Sequence, residues 1–299
     1  MTHWFVHIGQ MKTATTALQR GLALGADRLL DVGVLYPQTG RFDDRHAQLA
    51  WATWAKVAPL KGWAARHASE LPIEELVAQL QDEVAVAGVE SVVISSEELS
   101  LRPASVAGPL LEPLGGRVTI IVYLRPQGEM LEAMYRQQVK GMGITDRFED
   151  FAHEQLEGDT DLVRRLRYRD LLGEWSEAFP HAALIPQVFD DARRVGILRH
   201  FLEAVGAADP GLGEAPIANV SFQEPVLEMV RRANDYLPPA VRSRFLSDAQ
   251  WLQHELALAS RSLLSPELAL EVSTRFEEQN RAVARDYFDK DLLFEAART

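Results

Sequence analysis

The 299-residue chain contains no cysteine, has no long hydrophobic run and carries an excess of acidic residues. Without cysteine it has no disulfide, no thiolate nucleophile and no cysteine-ligated metal. No stretch approaches the roughly 18 uninterrupted apolar residues of a membrane span, so we expect no transmembrane helix. The net charge of −12 disfavours nucleic-acid binding, which usually needs a basic face, but it is compatible with a small basic pocket for one compact anion.

Other absences bear on location and organisation. The first nine residues lack the basic segment of a signal peptide and pass directly into a predicted strand, so we expect a cytoplasmic protein. We find no repeat, low-complexity tract or long linker. The sequence therefore predicts a single domain over 1–299, with an α/β core at 1–222 and a helical C-terminal part at 223–299. It leaves the oligomeric state open.

The chain contains an alternation of strand and helix signals. Strands are predicted at 4–9, 33–37, 92–94, 117–126 and 182–191. Helices are predicted at 13–24, 46–67, 72–87, 128–141, 195–206, 223–237, 244–263 and 266–288. This order predicts an α/β fold in which helices flank a parallel sheet in three layers. Ligands bind beyond the C-terminal ends of such strands, so the polar strand ends at 9–16, 95–98 and 125 are expected to converge.

The segment Gly9–Thr16 lies between the first predicted strand and the first predicted helix. It contains one lysine, Lys12, and three hydroxyl side chains, those of Thr13, Thr15 and Thr16. Backbone N–H groups at a helix start, together with a lysine and hydroxyls, are suited to hold a phosphate. A Walker A loop has a glycine directly before its lysine, whereas Met11 stands there in this chain. The structural alternative is a simple helix junction, for which Thr13 is well placed as the cap.

Two segments in this order resemble the nucleotide-binding motifs of sulfotransferases, in particular bacterial carbohydrate-type members. HIGQMKTATTALQ at 7–19 resembles the loop for the 5′-phosphosulfate, and IVYLRPQGEMLEAMYRQQVK at 121–140 resembles the segment for the 3′-phosphate. Weaker similarity runs through later segments and covers most of the chain. The resemblance implies a P-loop NTPase-like sulfotransferase fold. It also implies 3′-phosphoadenosine-5′-phosphosulfate (PAPS) as donor, adenosine-3′,5′-bisphosphate (PAP) as product, and no required metal.

The resemblance also implies roles for individual residues. Lys12 would stabilise the charge that grows on the departing bridging oxygen, as an oxyanion hole does. Arg125 would bind the 3′-phosphate through charge-assisted hydrogen bonds. The loop around the 5′-phosphate would be formed by Gly9, Lys12, Thr13, Ala14, Thr15 and Thr16.

The sequence departs from the family pattern at two positions. Ala14 stands in the loop where glycine is usual, and its methyl group is tolerated if φ is negative. Ala133 stands where the helix after Arg125 usually carries a serine, which removes one hydroxyl from the 3′-phosphate. Arg136 and Lys140 are the candidates to compensate for it.

The attacking acceptor hydroxyl needs a base, and three side chains are candidates. His46 opens a predicted helix after a charged loop, and Glu97 and Glu98 close the strand at 92–94. Sulfotransferases use either histidine or glutamate in this role. The structural alternatives are a surface or capping histidine, and glutamates that favour a helix start after Ser96.

The acceptor is predicted only as a small molecule or a glycan, so sugars, lipids, phenols and small metabolites stay open. Trp51, Trp54 and Trp63 have near-helical spacing, which favours core packing over an aromatic wall for the acceptor. Structural hydrogen bonds are expected at Asn219, Ser221 and Asn280. Two other functions stay open: a magnesium-dependent nucleotide kinase or NTPase, and a non-catalytic nucleotide-binding protein.

Overall fold

The computed structural model of the chain describes residues 1–213, 221–256, 258 and 261–295. It contains a five-stranded sheet with the order β2-β3-β1-β4-β5, in which all paired strands are parallel. The strands are β1 His3–His7, β2 Val34–Leu35, β3 Ser91–Ser95, β4 Arg117–Leu124 and β5 Ala183–Val188. The predicted α/β fold with a parallel sheet and flanking helices is confirmed.

Helices connect and follow these strands. They are α1 Thr15–Leu24, α2 Ala26–Asp31, α3 Ala47–Val57, α4 Gly62–His67, α5 Ile73–Ala87, α6 Gly108–Leu111, α7 Gln127–Gly141, α8 Phe148–Glu157, α9 Asp161–Leu166, α10 Tyr168–Ala178, α11 Phe189–Val195, α12 Ile197–Ala204, α13 Glu224–Ala233, α14 Pro239–Glu255 and α15 Pro266–Phe288. Short 3-10 helices cover Glu97–Leu101, Ala104–Ala107 and Glu112–Leu114. Within the described residues, no helix is long and apolar enough to cross a membrane.

The single helix predicted at 46–67 is wrong, because the structure has two helices there, α3 and α4. Ala58 is extended, with φ −161° and ψ 155°, and Pro59 follows it. A residue before proline is pushed out of the helical region, and proline itself provides no N–H for a helical hydrogen bond. The break therefore follows from one residue in the sequence.

The chain divides into two compact units. The first comprises residues 1–124 and 170–218, and the second comprises residues 125–169 and 219–299. The first unit contains the sheet, and its described part includes helices on the connections between strands. The described part of the second unit is helical. The single domain expected from the sequence stays a prediction.

The middle of the sheet is buried, as expected for parallel strands covered by helices. Ile120, Ile121 and Val122 of β4 have no exposed surface, and Leu18 of α1 and Phe201 of α12 pack in the same core. The apolar run of β4 therefore has the burial of a strand that is covered on both faces.

The second unit has its own hydrophobic core. Met130 of α7, Phe151 of α8 and Phe276 of α15 belong to one buried cluster. Asn280 and Gln127 exchange two hydrogen bonds of 2.7 and 3.0 Å, which is the structural role expected for Asn280. At Ser221 the carbonyl oxygen accepts a bond from Gln253. Asn219 lies outside the described residues.

Candidate active site

The loop after β1 enters α1 later than the sequence predicts. The helix begins at Thr15, and Ala14 is its N-cap, without a side-chain capping bond. The prediction of a helix from residue 13, with Thr13 as its cap, is wrong. Thr13 instead donates its hydroxyl proton to the Gln10 carbonyl at 2.7 Å and is buried within the loop. Its side chain therefore stabilises the loop from inside.

Two residues of this loop have left-handed backbone conformations. Lys12 has φ +63° and Ala14 has φ +59°, so the expectation of a negative φ at Ala14 is wrong. The Cβ atom makes this region unfavourable for an L-residue by about 1–2 kcal/mol, whereas glycine enters it freely. The structure thus gives a physical reason for glycine at position 14 in the family pattern. Alanine adopts the same conformation at a cost in stability.

A close approach between backbone and side chain joins the loop to the end of β3. Gly9 has φ +103°, and a Cβ atom at this position would lie 3.2 Å from Cβ of Glu97. The absence of a side chain at Gly9 therefore lets the loop lie against Glu97. This contact agrees with the register, in which β1 and β3 are neighbours and His7 is opposite Ser95. Two of the predicted polar strand ends, 9–16 and 95–98, thus lie together.

The contact is reinforced by a hydrogen bond from the Thr15 hydroxyl to Oε2 of Glu97. Burial raises the pKa of the Glu97 carboxyl, and the charge of neighbouring Glu98 raises it further. The hydrogen bond from Thr15 and the positive charges of Arg45 and Lys12 act in the opposite direction. The net pKa of Glu97 is above its ordinary value, which suits a carboxylate that accepts a proton.

Glu98 has a different environment from its neighbour. It is buried, and its carboxylate accepts bonds from Arg45 Nε and from Ser96 Oγ, both at 2.8 Å. Each carboxylate oxygen of Glu98 thus accepts one hydrogen bond, Oε1 from the guanidinium and Oε2 from the hydroxyl. We therefore assign Glu98 a structural position beside the loop.

His46 is fully buried and uses both ring nitrogens for bonds to the backbone. Nδ1 accepts a bond from the Ser95 N–H at 3.1 Å, so Nε2 carries the proton and donates to the Pro37 carbonyl at 3.0 Å. Burial lowers the pKa of His46 to about 4. The ring ties the end of β3 to the segment after β2, an arrangement in which no nitrogen lone pair is left for a substrate proton.

The structure contains a buried group of polar side chains near the loop that the sequence did not predict. His7 Nδ1 lies 2.8 Å from Ser95 Oγ, and Gln19 donates to the same oxygen at 3.2 Å. Burial lowers the pKa of His7 to about 3, and its Nε2 has no hydrogen-bond partner among the described residues. The sequence does show polar residues at the ends of β1 and β3. It does not show the register of the two strands, which places His7 opposite Ser95.

Arg125 follows β4 directly and belongs to the second unit. Its guanidinium forms an ion pair with Glu129 at 3.0 Å, and its carbonyl accepts a bond from the Tyr168 hydroxyl at 2.5 Å. Arg125 is therefore held by Glu129 of the following helix, α7, and by Tyr168.

Arg136 was expected to replace the hydroxyl that is missing at Ala133. The structure does not support this expectation, because the guanidinium of Arg136 is buried and bound within the second unit. Arg136 pairs with Glu132 at 2.6 Å and donates to the carbonyl oxygens of Phe222 and Arg261. Lys140 donates to Gln250 Oε1 at 3.3 Å. Both cations thus have structural partners around α7.

The described residues contain no group of three His, Asp or Glu side chains placed to hold a metal ion. No protein-family model matches the chain. An uncharacterized protein from Archaeoglobus fulgidus is 26% identical over 178 residues, which cover 56% of this chain and 45% of that protein. The chain therefore matches less than half of the length of this relative, whose printed name gives no activity.

Three solved structures resemble the chain. A sulfotransferase from Alicyclobacillus acidocaldarius has a TM-score of 0.52 at 14% identity, with coverage of 98% of this chain and 97% of that one. Sulfotransferase domains from the Synechococcus PCC 7002 olefin synthase and from the curacin biosynthetic pathway have TM-scores of 0.40 and 0.38, at 13% and 12% identity. Both matches cover 87% of this chain; they cover 96% of the olefin synthase domain and 99% of the curacin domain. The chain thus shares the fold of the Alicyclobacillus sulfotransferase.

Proposed function

We propose that the protein is a sulfotransferase that moves a sulfuryl group from PAPS to a hydroxyl or amine acceptor. The observation that carries the proposal is the loop Gly9–Thr16, which contains one lysine and three threonines, leads from β1 into the first turn of α1 and contacts Glu97 through Gly9 and Thr15. A phosphate-binding loop beside a proton acceptor is what sulfuryl transfer requires. The shared fold supports the same proposal.

The loop is suited to the 5′-phosphate of the donor. The first N–H groups of α1 have no partner within the helix, and the helix dipole favours an anion at this end. Thr16 is exposed in the first turn, so its hydroxyl is open to a ligand. Thr13 would act through the loop conformation, because its hydroxyl proton is bound to Gln10. Lys12 adds the positive charge.

The reaction we propose is an in-line displacement at sulfur. The acceptor oxygen bonds to sulfur while the bond between sulfur and the bridging oxygen of the 5′-phosphate breaks, and PAP leaves with the electron pair. Lys12 stabilises the charge on that leaving oxygen. The acceptor gives its proton to Glu97. We prefer Glu97 to His46 as base, because both ring nitrogens of His46 are bonded to the backbone.

Arg125 keeps the role implied by the family pattern, as ligand of the 3′-phosphate. The ion pair with Glu129 is compatible with this role, because a phosphate can share or replace the carboxylate partner of a guanidinium. The role rests on the resemblance of residues 121–140, and it stays a prediction.

A kinase or NTPase is not favoured by the sequence around the loop. Met11 replaces the glycine that precedes the Walker lysine. In addition, β3 ends in serines and glutamates, where such an enzyme has a metal-binding aspartate. These two departures affect the phosphate contacts and the magnesium contacts on which that chemistry depends.

The proposal is tested by transfer of labelled sulfate from PAPS to a panel of hydroxyl and amine acceptors. We expect turnover in the wild type and its loss in Lys12→Ala, with a normal unfolding curve for the variant. Lys290→Ala removes an exposed lysine far along the chain and is the matched control. Wild-type turnover in Lys12→Ala would contradict the assigned mechanism.

A further inference from the structure

Residues 45–69 have a composition opposite to that of the whole chain. They contain four Lys or Arg residues and no Asp or Glu, in a protein with a net charge of −12. They also contain three of the six tryptophans. This stretch includes α3 and α4 and begins at Arg45, the partner of Glu98. Arg45 and Lys56 are paired with Glu98 and Glu74, so the remaining cations and the tryptophans are the residues of this stretch that could bind an anionic ligand.

Two rings of this stretch form a cluster with Phe42, and we name Phe42, Trp63 and His67 the aromatic face; Trp63 is exposed, whereas Phe42 and His67 are half-buried. The Trp63 ring is 4.0 Å from the His67 ring at 36°, and the Phe42 ring is 5.2 Å from His67 and 6.3 Å from Trp63. Trp63 is 52% exposed, whereas Trp51 is buried in the small core of α3 and α4. Core packing therefore explains Trp51 and leaves Trp63 in contact with solvent.

Arginines lie over two of these rings, Phe42 and Trp63, and over Trp54. The guanidinium of Arg66 is 5.7 Å from the Trp63 centroid, that of Arg45 is 5.7 Å from Phe42, and that of Arg102 is 5.2 Å from Trp54. Arg45 is already paired with Glu98. By contrast, neither Arg66 nor Arg102 forms an ion pair with a carboxylate in the described part of the chain. Charges without an acidic partner on an acidic protein are available to an anionic ligand.

The aromatic face is connected to the candidate base by consecutive contacts. Phe42 lies under Arg45, Arg45 Nε lies 2.8 Å from Glu98, and Glu98 is the neighbour of Glu97 in the chain. All of these residues belong to the first unit. The contacts thus run from the aromatic face through Arg45 to Glu98, which directly follows the proposed base Glu97 in the chain.

We infer that the aromatic face binds the acceptor, and that the acceptor carries a ring with an acidic substituent beside its hydroxyl. This inference rests on the proposed function. The exposed Trp63 ring would pack against the apolar face of a sugar or aromatic ring. Arg66 would pair with the acidic group through charge-assisted hydrogen bonds. Acidic sugars and hydroxylated aromatic acids share this chemistry.

The first test measures binding of four probes in the absence of donor, by saturation-transfer NMR. Methyl glucuronide is compared with methyl glucoside, and 4-hydroxyphenylacetate with 4-ethylphenol, so that each arm differs in the acidic group. We expect an acidic probe in at least one arm to bind about tenfold more tightly than its neutral partner, as one charged hydrogen bond predicts. The arm that shows the preference identifies the source of the ring. Equal binding within both pairs would overturn the inference.

Variants then locate the binding. Arg66→Gln should abolish the preference for the acidic probe, and Trp63→Ala should weaken acidic and neutral members alike. The matched controls are Arg199→Gln and Trp251→Ala, which change an exposed arginine and a 64% exposed tryptophan elsewhere and should behave as wild type. An undiminished preference in Arg66→Gln would assign the acidic probe to another surface and refute the inference.

Failure of this inference is distinguishable from failure of the proposed function. The probes are measured without PAPS, so their binding does not depend on sulfate transfer. PAP binding by calorimetry should be unchanged in Trp63→Ala and Arg66→Gln, because neither residue lies in the phosphate loop. Acidic-probe binding without any PAP binding would support the aromatic face as an anion-binding surface and would contradict the sulfotransferase proposal.

Discussion

The Thr15 hydroxyl, in the first turn of α1, donates a hydrogen bond to the carboxylate of Glu97, directly after β3. One residue of the proposed phosphate loop therefore contacts the proposed base of the reaction. A phosphate bound at the start of α1 would compete for the same hydroxyl. Donor binding and the protonation state of Glu97 are thus expected to be linked.

Replacing Thr15 tests this link. In Thr15→Val the hydrogen bond that favours the charged form of Glu97 is lost, so the pKa of Glu97 should rise further. Because the base must be deprotonated, the acid limb of the kcat/KM profile should move to higher pH. Thr15→Ser keeps the hydroxyl and should retain the wild-type profile. An acid limb at the same pH in Thr15→Val and the wild type would show that the contact does not influence the base.

Glu97→Gln should abolish turnover and raise the free energy of unfolding. The raised pKa means that the folded state favours the protonated carboxyl, so ionisation of Glu97 destabilises the fold as pH rises through that pKa. The neutral amide removes this penalty. We expect loss of turnover together with a higher free energy of unfolding at pH 7.5, and a difference that shrinks towards pH 4. Urea unfolding at both pH values measures it, and a variant that is less stable than wild type at pH 7.5 would contradict the assignment.

Ala14→Gly should stabilise the protein by about 1 kcal/mol, because φ +59° is unfavourable for alanine and free for glycine. The control is Ala17→Gly in the body of α1, where glycine should destabilise by about 1 kcal/mol. Denaturant unfolding of both variants measures the opposite signs. Equal destabilisation by the two substitutions would mean that position 14 has no left-handed backbone.

His46→Ala should lower stability by about 2–4 kcal/mol, since it leaves a cavity and deprives the Ser95 N–H and the Pro37 carbonyl of partners. The pKa of His46 is about 4 in the folded protein and 6.5 in the unfolded chain. The neutral histidine therefore contributes fully to stability above pH 6.5, and this contribution is lost as the pH falls towards 4. Wild-type stability should therefore decline between these pH values more steeply than that of the variant. Parallel pH dependences would contradict the buried neutral state.

The fold was predictable because its signals are local. Apolar runs such as that of β4 and helical periodicity such as that of α5 are readable residue by residue, and their alternation indicates a parallel sheet. Lys12 and the threonines around it form a pattern typical of a phosphate loop, and their role stays a prediction. The break at Ala58 was readable too, from Pro59, although the periodicity of the tryptophans obscured it.

The details of the site were not predictable in the same way. The conformation of Ala14 is imposed by the loop, and nothing in its residue type indicates a positive φ. The choice between Glu97 and Glu98 depends on which of them faces Thr15 and which faces Arg45, a matter of contacts between residues distant in sequence. The burial of His46 depends likewise on the packing between β2 and β3. Long-range contacts therefore decide the roles that the sequence leaves open.

The central claim, that the loop Gly9–Thr16 binds the phosphate of an adenosine bisphosphate, is tested most directly by calorimetry with PAP in the absence of divalent metal. The account predicts binding of one PAP per chain, weakened at least about tenfold in Lys12→Ala and unchanged in Lys290→Ala. No binding to the wild type, or equal binding to wild type and Lys12→Ala, would contradict it.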